Sequence, residues 1–125
     1  MKNVVLYLPE KTGSLPNACS FLRIISPLYE LARTRNLVLQ ELTQLSQIYD
    51  PAVIALTTNR TAVLNFPGML EALMSNHLNH LLIHWDTDDL ATFDMSDEIE
   101  YSYLKKLATA TRIMQDYASY ITCST

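Results

Sequence analysis

Four aspartates stand close together in the segment "HLLIHWDTDDLATFD", which covers residues 80–94. Asp86, Asp88 and Asp89 follow directly on an apolar run. Carboxylates in such a place can hold a magnesium ion, accept a phosphoryl group, contact a substrate or cap a helix. Because clustered carboxylates at the end of a strand more commonly cap a following helix or accept from loop amides, no metal is expected here.

Three histidines, His77 just before this segment and His80 and His84 within it, suggest a zinc site at first sight. If His80 and His84 stand on one strand, they are about 13 Å apart at ~3.3 Å per residue. Zinc ligands lie only ~2 Å from the ion, so these two side chains cannot bind the same zinc ion. A joint zinc site is therefore excluded by geometry.

Length, composition and charge limit the class of protein. With 125 residues, 49% of them hydrophobic, the chain matches one globular domain. A net charge of -4 argues against a nucleic-acid partner. No apolar stretch reaches the ~20 residues that span a bilayer, and the N-terminal apolar run is too short for a signal peptide, so a cytoplasmic location is expected. Cys19 and Cys123 are isolated and form no metal or disulfide motif.

Short apolar, β-branched runs alternate with helical patterns along the chain. Strands are predicted over residues 4–8, 36–42, 52–56, 80–85 and 119–123. Helices are predicted over residues 18–33, 66–77 and 97–118, with Pro27 either kinking the first helix or starting a second one behind a Ser26 cap. This alternation predicts an α/β fold, a Rossmann-like three-layer α/β/α sandwich with a five-stranded, mostly parallel sheet. The third strand should be central and the second nearer an edge.

In such sheets the ligand crevice lies outside the carboxyl ends of the strands. Three polar groups of residues are predicted to meet there. They are the loop after the first strand, which contains Gly13 and Ser14, the exit of the third strand, with Asn59 and Arg60, and the aspartates that follow the fourth strand. Trp85 and the stripe from Met69 to Met74 are predicted to be core.

Several known chemistries need motifs that this chain lacks. A receiver domain has acidic residues after its first strand and an aspartate after its third, where this chain has "LPEKTG" and "LTTNR". Only Gly13 and Gly68 are glycines, so neither a dinucleotide fingerprint nor a phosphate-binding loop exists, and no cofactor is expected. No nucleophile elbow occurs and neither cysteine has an identifiable base, so no catalytic residue is assigned.

Three stretches in order carry a resemblance: "CSFLRIISPLYEL" after the first strand, "DPAVIALTTNR" at the third and "LLIHWDTDDL" at the fourth. Together they resemble the N-terminal domain of B-fold (GT-B) glycosyltransferases that modify bacterial surface polysaccharides and glycoproteins. The resemblance covers about residues 3–125. It implies that residues 1–125 form a single Rossmann-like domain, the acceptor-side half of a two-domain enzyme.

The resemblance also implies roles for residues at matching positions. Arg23, Arg60, Asp86, Asp88 and Asp89 would line the cleft and contact substrate, with Arg60 pairing with the aspartates or with a phosphate. A strand-end arginine such as Arg60 is otherwise a salt-bridge partner for a nearby carboxylate.

The partners implied are a nucleotide-sugar donor, bound through a second domain that is missing here, and a glycan or glycoprotein acceptor. Such enzymes need no bound metal, and the half seen here would be inactive alone. An apolar surface left bare by the missing half would favour a homo-oligomer. The alternative is a stand-alone flavodoxin-like binding or interaction module that uses the same crevice.

Overall fold

A computed structural model of the chain describes residues 2–75, 78–87 and 101–123. It contains seven strands, numbered in chain order: β1 Val4–Leu8, β2 Lys11–Thr12, β3 Leu15–Pro16, β4 Val38–Glu41, β5 Val53–Asn59, β6 Leu82–Thr87 and β7 Tyr120–Cys123. Five of them form an all-parallel sheet in the order β4-β1-β5-β6-β7, while β2 and β3 make a small antiparallel hairpin in the loop after β1. The predicted α/β fold is confirmed, with β5 central and β4 at an edge.

Helical segments connect these strands. They are α1 Ala18–Ser20, a π-helical turn Phe21–Ile25, α2 Ser26–Arg35, 3-10 turns Leu45–Tyr49 and Ala62–Asn65, α3 Met69–Met74 and α4 Tyr101–Tyr117. When the five strands of the main sheet are numbered 1 to 5 along the chain, they lie side by side in the order 2-1-3-4-5. This is the flavodoxin-like order of doubly wound sheets and differs from the order of dinucleotide-binding folds.

The helical run after the hairpin settles the two possibilities left open for Pro27. Asn17 caps its start, because the Asn17 Oδ1 accepts from the Ser20 N–H at 2.9 Å. Ser26 is not a cap: it has helical backbone angles, and its N–H bonds to the Phe21 carbonyl five residues earlier. Pro27 has no N–H to give to the carbonyl of Arg23, and the wider π turn just before it keeps the helix continuous.

Most of the core lies on one face of the sheet. The buried side chains there come from alternate strand positions and from α3 and α4: Leu6, Leu8, Leu56, Ile83, Trp85, Met69, Leu73, Leu107 and Met114. Trp85 is fully buried, as predicted, and its Nε1 donates to the Arg60 carbonyl at 2.9 Å. This apolar cluster fixes the strands whose ends carry the polar residues.

The opposite face is covered by the run from α1 to α2. Asp86 alternates with Trp85 on β6 and so points to this face, where Arg23 of the π turn reaches it. Ile24 and Ile25 are buried beside Arg23, whereas no residue of α2 is fully buried. Leu82 and Tyr120, on the same face near β7, are exposed by more than half.

One helix is shorter than the sequence predicts. α3 begins at Met69 and not at Phe66, because Gly68 takes a left-handed conformation with φ of +81° that a helix cannot include. Met69 and Leu73 are buried, but Met74 is exposed, so the prediction of Met74 as a core residue is wrong. His77, the last position of the predicted stripe, lies outside the described residues.

Candidate functional site

Glu10, just beyond β1, has a buried carboxylate that accepts hydrogen bonds from three other parts of the chain. Its Oε2 accepts from the Thr61 hydroxyl at 2.6 Å and from the Thr61 N–H at 3.2 Å. The Tyr103 hydroxyl lies 3.0 and 3.1 Å from its two oxygens. The Asn17 amide donates to Oε1 at 2.9 Å, and the Arg60 Nη1 lies 3.5 Å from the same oxygen. These five residues are called the Glu10 cluster below.

The electrostatics of the Glu10 cluster favour a charged carboxylate. Burial acts to raise the pKa of Glu10, but hydrogen bonds from Thr61, Tyr103 and Asn17 outweigh it and leave this pKa below its ordinary value. Through these hydrogen bonds, the carboxylate connects the loop after β1 to the loop after β5 and to α4. Its oxygens are occupied by protein donors, so the side chain has a structural task.

Asn59, at the end of β5, holds the same loop in place through hydrogen bonds. Its Oδ1 accepts from the Glu10 N–H at 2.8 Å and lies 3.2 Å from the Ser20 hydroxyl. That hydroxyl in turn donates to the Glu10 carbonyl at 2.7 Å. Because Asn59 is buried, its amide oxygen holds the loop in place from inside the protein.

Arg60 directs its side chain toward the Glu10 cluster. Its backbone is left-handed, with φ of 50°, and its N–H donates to the Asp86 carbonyl at 3.0 Å. The guanidinium carbon lies 5.8 Å from the centre of the Tyr103 ring, a cation–π distance. Within the described part of the chain, Arg60 thus pairs with Glu10. The prediction that it pairs with the aspartates or with a phosphate stays a prediction, because Asp88 and Asp89 lie outside the described residues.

Asp86, at the end of β6, is paired with Arg23 instead. The guanidinium makes two parallel bonds, Nε to Oδ2 at 2.6 Å and Nη2 to Oδ1 at 2.8 Å. Bidentate pairing of this kind is among the strongest charge-assisted contacts in proteins. The Thr122 hydroxyl donates to the same Oδ1 at 2.5 Å. Arg23 and Asp86 were both predicted from the sequence to contact substrate. In the structure they form an ion pair with each other.

A chain of hydroxyl and imidazole groups continues from Asp86 across the sheet. The His84 Nε2 lies 2.8 Å from the Thr122 hydroxyl oxygen, and the His84 Nδ1 lies 2.9 Å from that of Thr57. Because Thr122 donates to Asp86, it accepts from His84 Nε2–H, which leaves Nδ1 to accept from Thr57. Burial lowers the pKa of His84, partly offset by the negative charge of Asp86. Arg23, Thr57, His84, Asp86 and Thr122 are called the Asp86 network below.

The crevice that remains open lies beside these clusters. A cavity of about 420 Å³ sits where β1 is flanked by β4 and β5. It is lined by Leu8, Pro9, Glu10, Lys11, Gly13, Leu42, Thr43, Ala62, Asn65 and Phe66. Connections on opposite faces of the sheet start here, which makes this the topological switch point where α/β sheets bind ligands. The cavity is called the switch-point crevice below.

The predicted substrate residues fall into three groups in the structure. Gly13 lines the switch-point crevice, and Ser14 follows it in the exposed turn of the hairpin. Arg23, Asn59, Arg60 and Asp86 hold the surrounding loops together, as described above. Asp88 and Asp89 lie outside the described residues. The prediction that these residues contact substrate stays a prediction.

Sequence reasoning missed two kinds of residue. Glu10 and Tyr103 form the Glu10 cluster, although they are far apart in the chain. Thr43, Asn65 and Phe66 line the switch-point crevice, and Asn65 and Phe66 were assigned to the start of a helix. A usable signal did exist for Glu10, since an acidic residue directly after the first strand points to that loop.

Within residues 2–75, 78–87 and 101–123, no three His, Cys, Asp or Glu side chains come together as a metal centre requires. His80 is engaged elsewhere, with its Nε2 3.0 Å from the Ile48 carbonyl.

Comparison with protein-family models, with curated protein sequences and with solved structures finds no significant match to this chain. Among the helices that the structure describes, none is long and apolar enough to cross a membrane.

Proposed function

We propose that this domain binds a small, polar, ring-bearing molecule in the switch-point crevice. The observation that carries the proposal is the cavity of about 420 Å³ at the carboxyl ends of β4, β1 and β5. Ligand pockets in proteins typically have volumes of about 300–1,000 Å³ and prefer such switch points. The Glu10 cluster beside the cavity supports the role by fixing the two loops that border it.

The lining indicates the kind of molecule. Leu8, Leu42 and the ring of Phe66 supply apolar surface, which suits one face of a sugar or another compact ring. Thr43 and Asn65 supply exposed hydrogen-bonding groups, and Lys11 lies at the same wall. Lys11 also pairs with Glu41 at 3.3 Å, so its charge is already compensated. A neutral, hydroxyl-rich ligand suits this lining of apolar and uncharged polar groups better than a phosphate-rich ligand does.

The finer proposal is that the ligand is the acceptor sugar of a glycosyl transfer. It is supported by the three ordered stretches that resemble B-fold glycosyltransferases and by the parallel α/β fold. The transfer itself would belong to an enzyme in which a second domain supplies the nucleotide sugar. In that enzyme, Arg23 and Asp86 would hold the loops of the acceptor side, and the crevice would contact the sugar.

A second candidate is a flavodoxin-like binding module without transfer chemistry. The flavodoxin-like strand order is the observation that favours it. In this case the same crevice would take a planar or anionic small molecule.

Calorimetric titration tests the proposal and separates the two candidates. The chain is titrated with a panel of neutral mono- and disaccharides, and separately with flavin mononucleotide and inorganic phosphate. We expect a neutral sugar to bind and Thr43→Ala to weaken that binding about tenfold, a loss typical of a polar contact to a ligand. Thr34→Ala, which changes an equally exposed threonine on α2, is the matched control.

Each outcome of the titration has a meaning. Binding of flavin or phosphate alone would replace the sugar proposal with the flavodoxin-like module. Sugar binding that Thr43→Ala and Thr34→Ala leave equally strong would remove the switch-point crevice as the site. Absence of binding by every compound in the panel would contradict the proposed function.

A further inference from the structure

The two edge strands of the sheet differ in how well they are protected. β4 and β7 are the outer strands, and among the described residues each pairs with one neighbour only. All four residues of β7 are exposed, whereas β4 alternates exposed and half-buried positions. An exposed edge offers unpaired N–H and C=O groups to another strand.

β4 carries the features that keep edges from pairing. It ends in Gln40 and Glu41, and Glu41 forms an ion pair with Lys11 beside the edge. Charged side chains at an edge discourage another strand from adding there. β7 has the sequence YITC, with neither a charge nor a proline, and its pairing with β6 shows no bulge. Among the described residues, β7 is therefore the edge strand that lacks these protective features.

Apolar side chains flank β7 on both faces of the sheet. Tyr120 is 63% exposed and Leu82, on the neighbouring strand, is 54% exposed on the same face. Ile121 is 38% exposed and points to the other face. A strand added to β7 would therefore bury apolar surface above and below its own hydrogen bonds.

The distribution of charge on the chain limits which strand can pair with β7. The whole chain carries a net charge of -4, so two copies repel each other over most of their surface. β6 and β7 contain one charged residue, Asp86, which Arg23 neutralises. Two copies that meet at β7 bring no uncompensated charge of these strands together. A two-fold axis perpendicular to the sheet also places the Tyr120 and Leu82 surfaces of both copies side by side.

We infer that the chain forms a two-fold dimer in which β7 of one copy pairs antiparallel with β7 of a second copy. The sheet then continues through both copies as one ten-stranded sheet. The paired strands have four residues each, which gives an interface smaller than the ~800 Å² per partner of a standard complex. The dimer is therefore reversible and dependent on protein concentration. It leaves the switch-point crevice open, since the crevice adjoins the other half of the sheet.

Analytical ultracentrifugation over a wide concentration range tests this inference with a matched pair of variants. Ile121→Lys places a charge on the β7 edge, and Val38→Lys places one on the β4 edge. Both residues are 38% exposed, so the two changes remove comparable apolar side chains. We expect Ile121→Lys to raise the dimer dissociation constant at least about tenfold and Val38→Lys to leave it unchanged.

A second measurement does not depend on the folding of a variant. In the wild-type chain, the amides of β7 should exchange with deuterium more slowly as the protein concentration rises, while those of β4 should not respond. A chain that stays monomeric up to millimolar concentration would overturn the inference. Equal loss of the dimer in both variants, or slowed exchange confined to β4, would overturn it as well.

Discussion

Glu10 and Asp86 are two buried carboxylates at the carboxyl ends of the sheet, and they are stabilised in different ways. Glu10 accepts bonds spread over a hydroxyl, a backbone N–H, a phenol and an amide, with a guanidinium only at 3.5 Å. Asp86 is held by a single bidentate guanidinium and one hydroxyl. The first arrangement joins three loops or helices, and the second joins one helix to two strands.

The difference teaches what the acidic strand ends do. Neither carboxylate has oxygens left open toward a ligand, because protein donors take them in both cases. The exposed polar groups of the switch-point crevice belong to Asn65 and to Thr43, whose hydroxyl donates to the Gln47 Oε1 at 3.3 Å and can still accept a hydrogen bond. Glu10 and Asp86 thus hold the surrounding loops in place, and neutral residues of the adjoining loops are the candidates for ligand contact.

The largest effect is expected from Arg23→Ala. This change leaves the buried Asp86 carboxylate without its bidentate partner, and breaking a buried pair in this way typically costs about 3–5 kcal/mol. Because the Arg23 side chain is 31% exposed, water can partly replace it, and we expect about 3 kcal/mol. Urea unfolding measures the loss.

The double variant Arg23→Ala with Asp86→Asn, compared with its two single variants, sharpens this result. Removing both charges should recover part of the lost stability, because no isolated charge remains buried. A double variant as unstable as the sum of the single ones would show that the pair itself is not the source of the effect.

A smaller loss is expected from Glu10→Gln. An amide nitrogen replaces one accepting oxygen, so at least one donor of the Glu10 cluster loses its acceptor, which costs about 1–3 kcal/mol. The same method applies. A loss equal to that of Arg23→Ala would contradict the distinction between spread and concentrated stabilisation.

The acid dependence of stability distinguishes the Glu10 cluster further. The pKa of Glu10 is lowered in the folded state, so its contribution is complete above the unfolded value of 4.5 and is lost as the pH falls through the folded value. The free energy of unfolding should therefore decrease below pH 4.5 in the wild type. Glu10→Gln should flatten this decrease, and an unchanged slope would argue against a charged Glu10.

His84 should act in a higher pH range. Its pKa is also lowered, by burial, so the folded state favours the neutral ring and stability decreases as the pH falls below the ordinary value of 6.5. His84→Gln removes the titrating group and should flatten the profile between pH 7 and the folded pKa. Denaturation curves at closely spaced pH values make the comparison, with Glu10→Gln as the control that leaves this range unchanged.

Thr57→Val gives the smallest expected effect. It removes the hydroxyl that donates to His84 Nδ1 but keeps the side-chain volume, which costs about 1 kcal/mol. A nearly isosteric control is Thr109→Val on α4, where the hydroxyl bonds only to its own helix. Equal losses of stability in the two variants would contradict the assignment of His84 to the Asp86 network.

The sequence predicted the elements of the fold better than the contacts of the site. Runs such as residues 4–8 and 52–56 are wholly apolar, which is what a buried parallel strand requires, so the sheet and its central strand could be inferred. Their ends were placed within a few residues. The π turn around Arg23 was not predicted, because Pro27 in the sequence is compatible both with a kink in one helix and with the start of a second.

The partners of the polar residues could not be inferred from local patterns. Arg23 and Asp86 are 63 positions apart, and Glu10 and Tyr103 are 93 apart. Which arginine reaches which carboxylate depends on the lateral order of the strands and on the position of a helix over them. Arg60 directly follows Asn59, the register partner of Asp86, and its N–H bonds to the Asp86 carbonyl, yet its guanidinium lies beside Glu10.

Chemical-shift mapping of the isotope-labelled chain during a titration with the neutral sugar panel tests the central claim most directly. We expect the amides of Gly13, Thr43, Asn65 and Phe66 to shift with a common saturation curve, while those of Arg23, His84 and Asp86 stay in place. Shifts centred on the Asp86 network, with the switch-point crevice unchanged, would contradict the proposal that Glu10 and Asp86 form the scaffold and that the crevice binds the ligand.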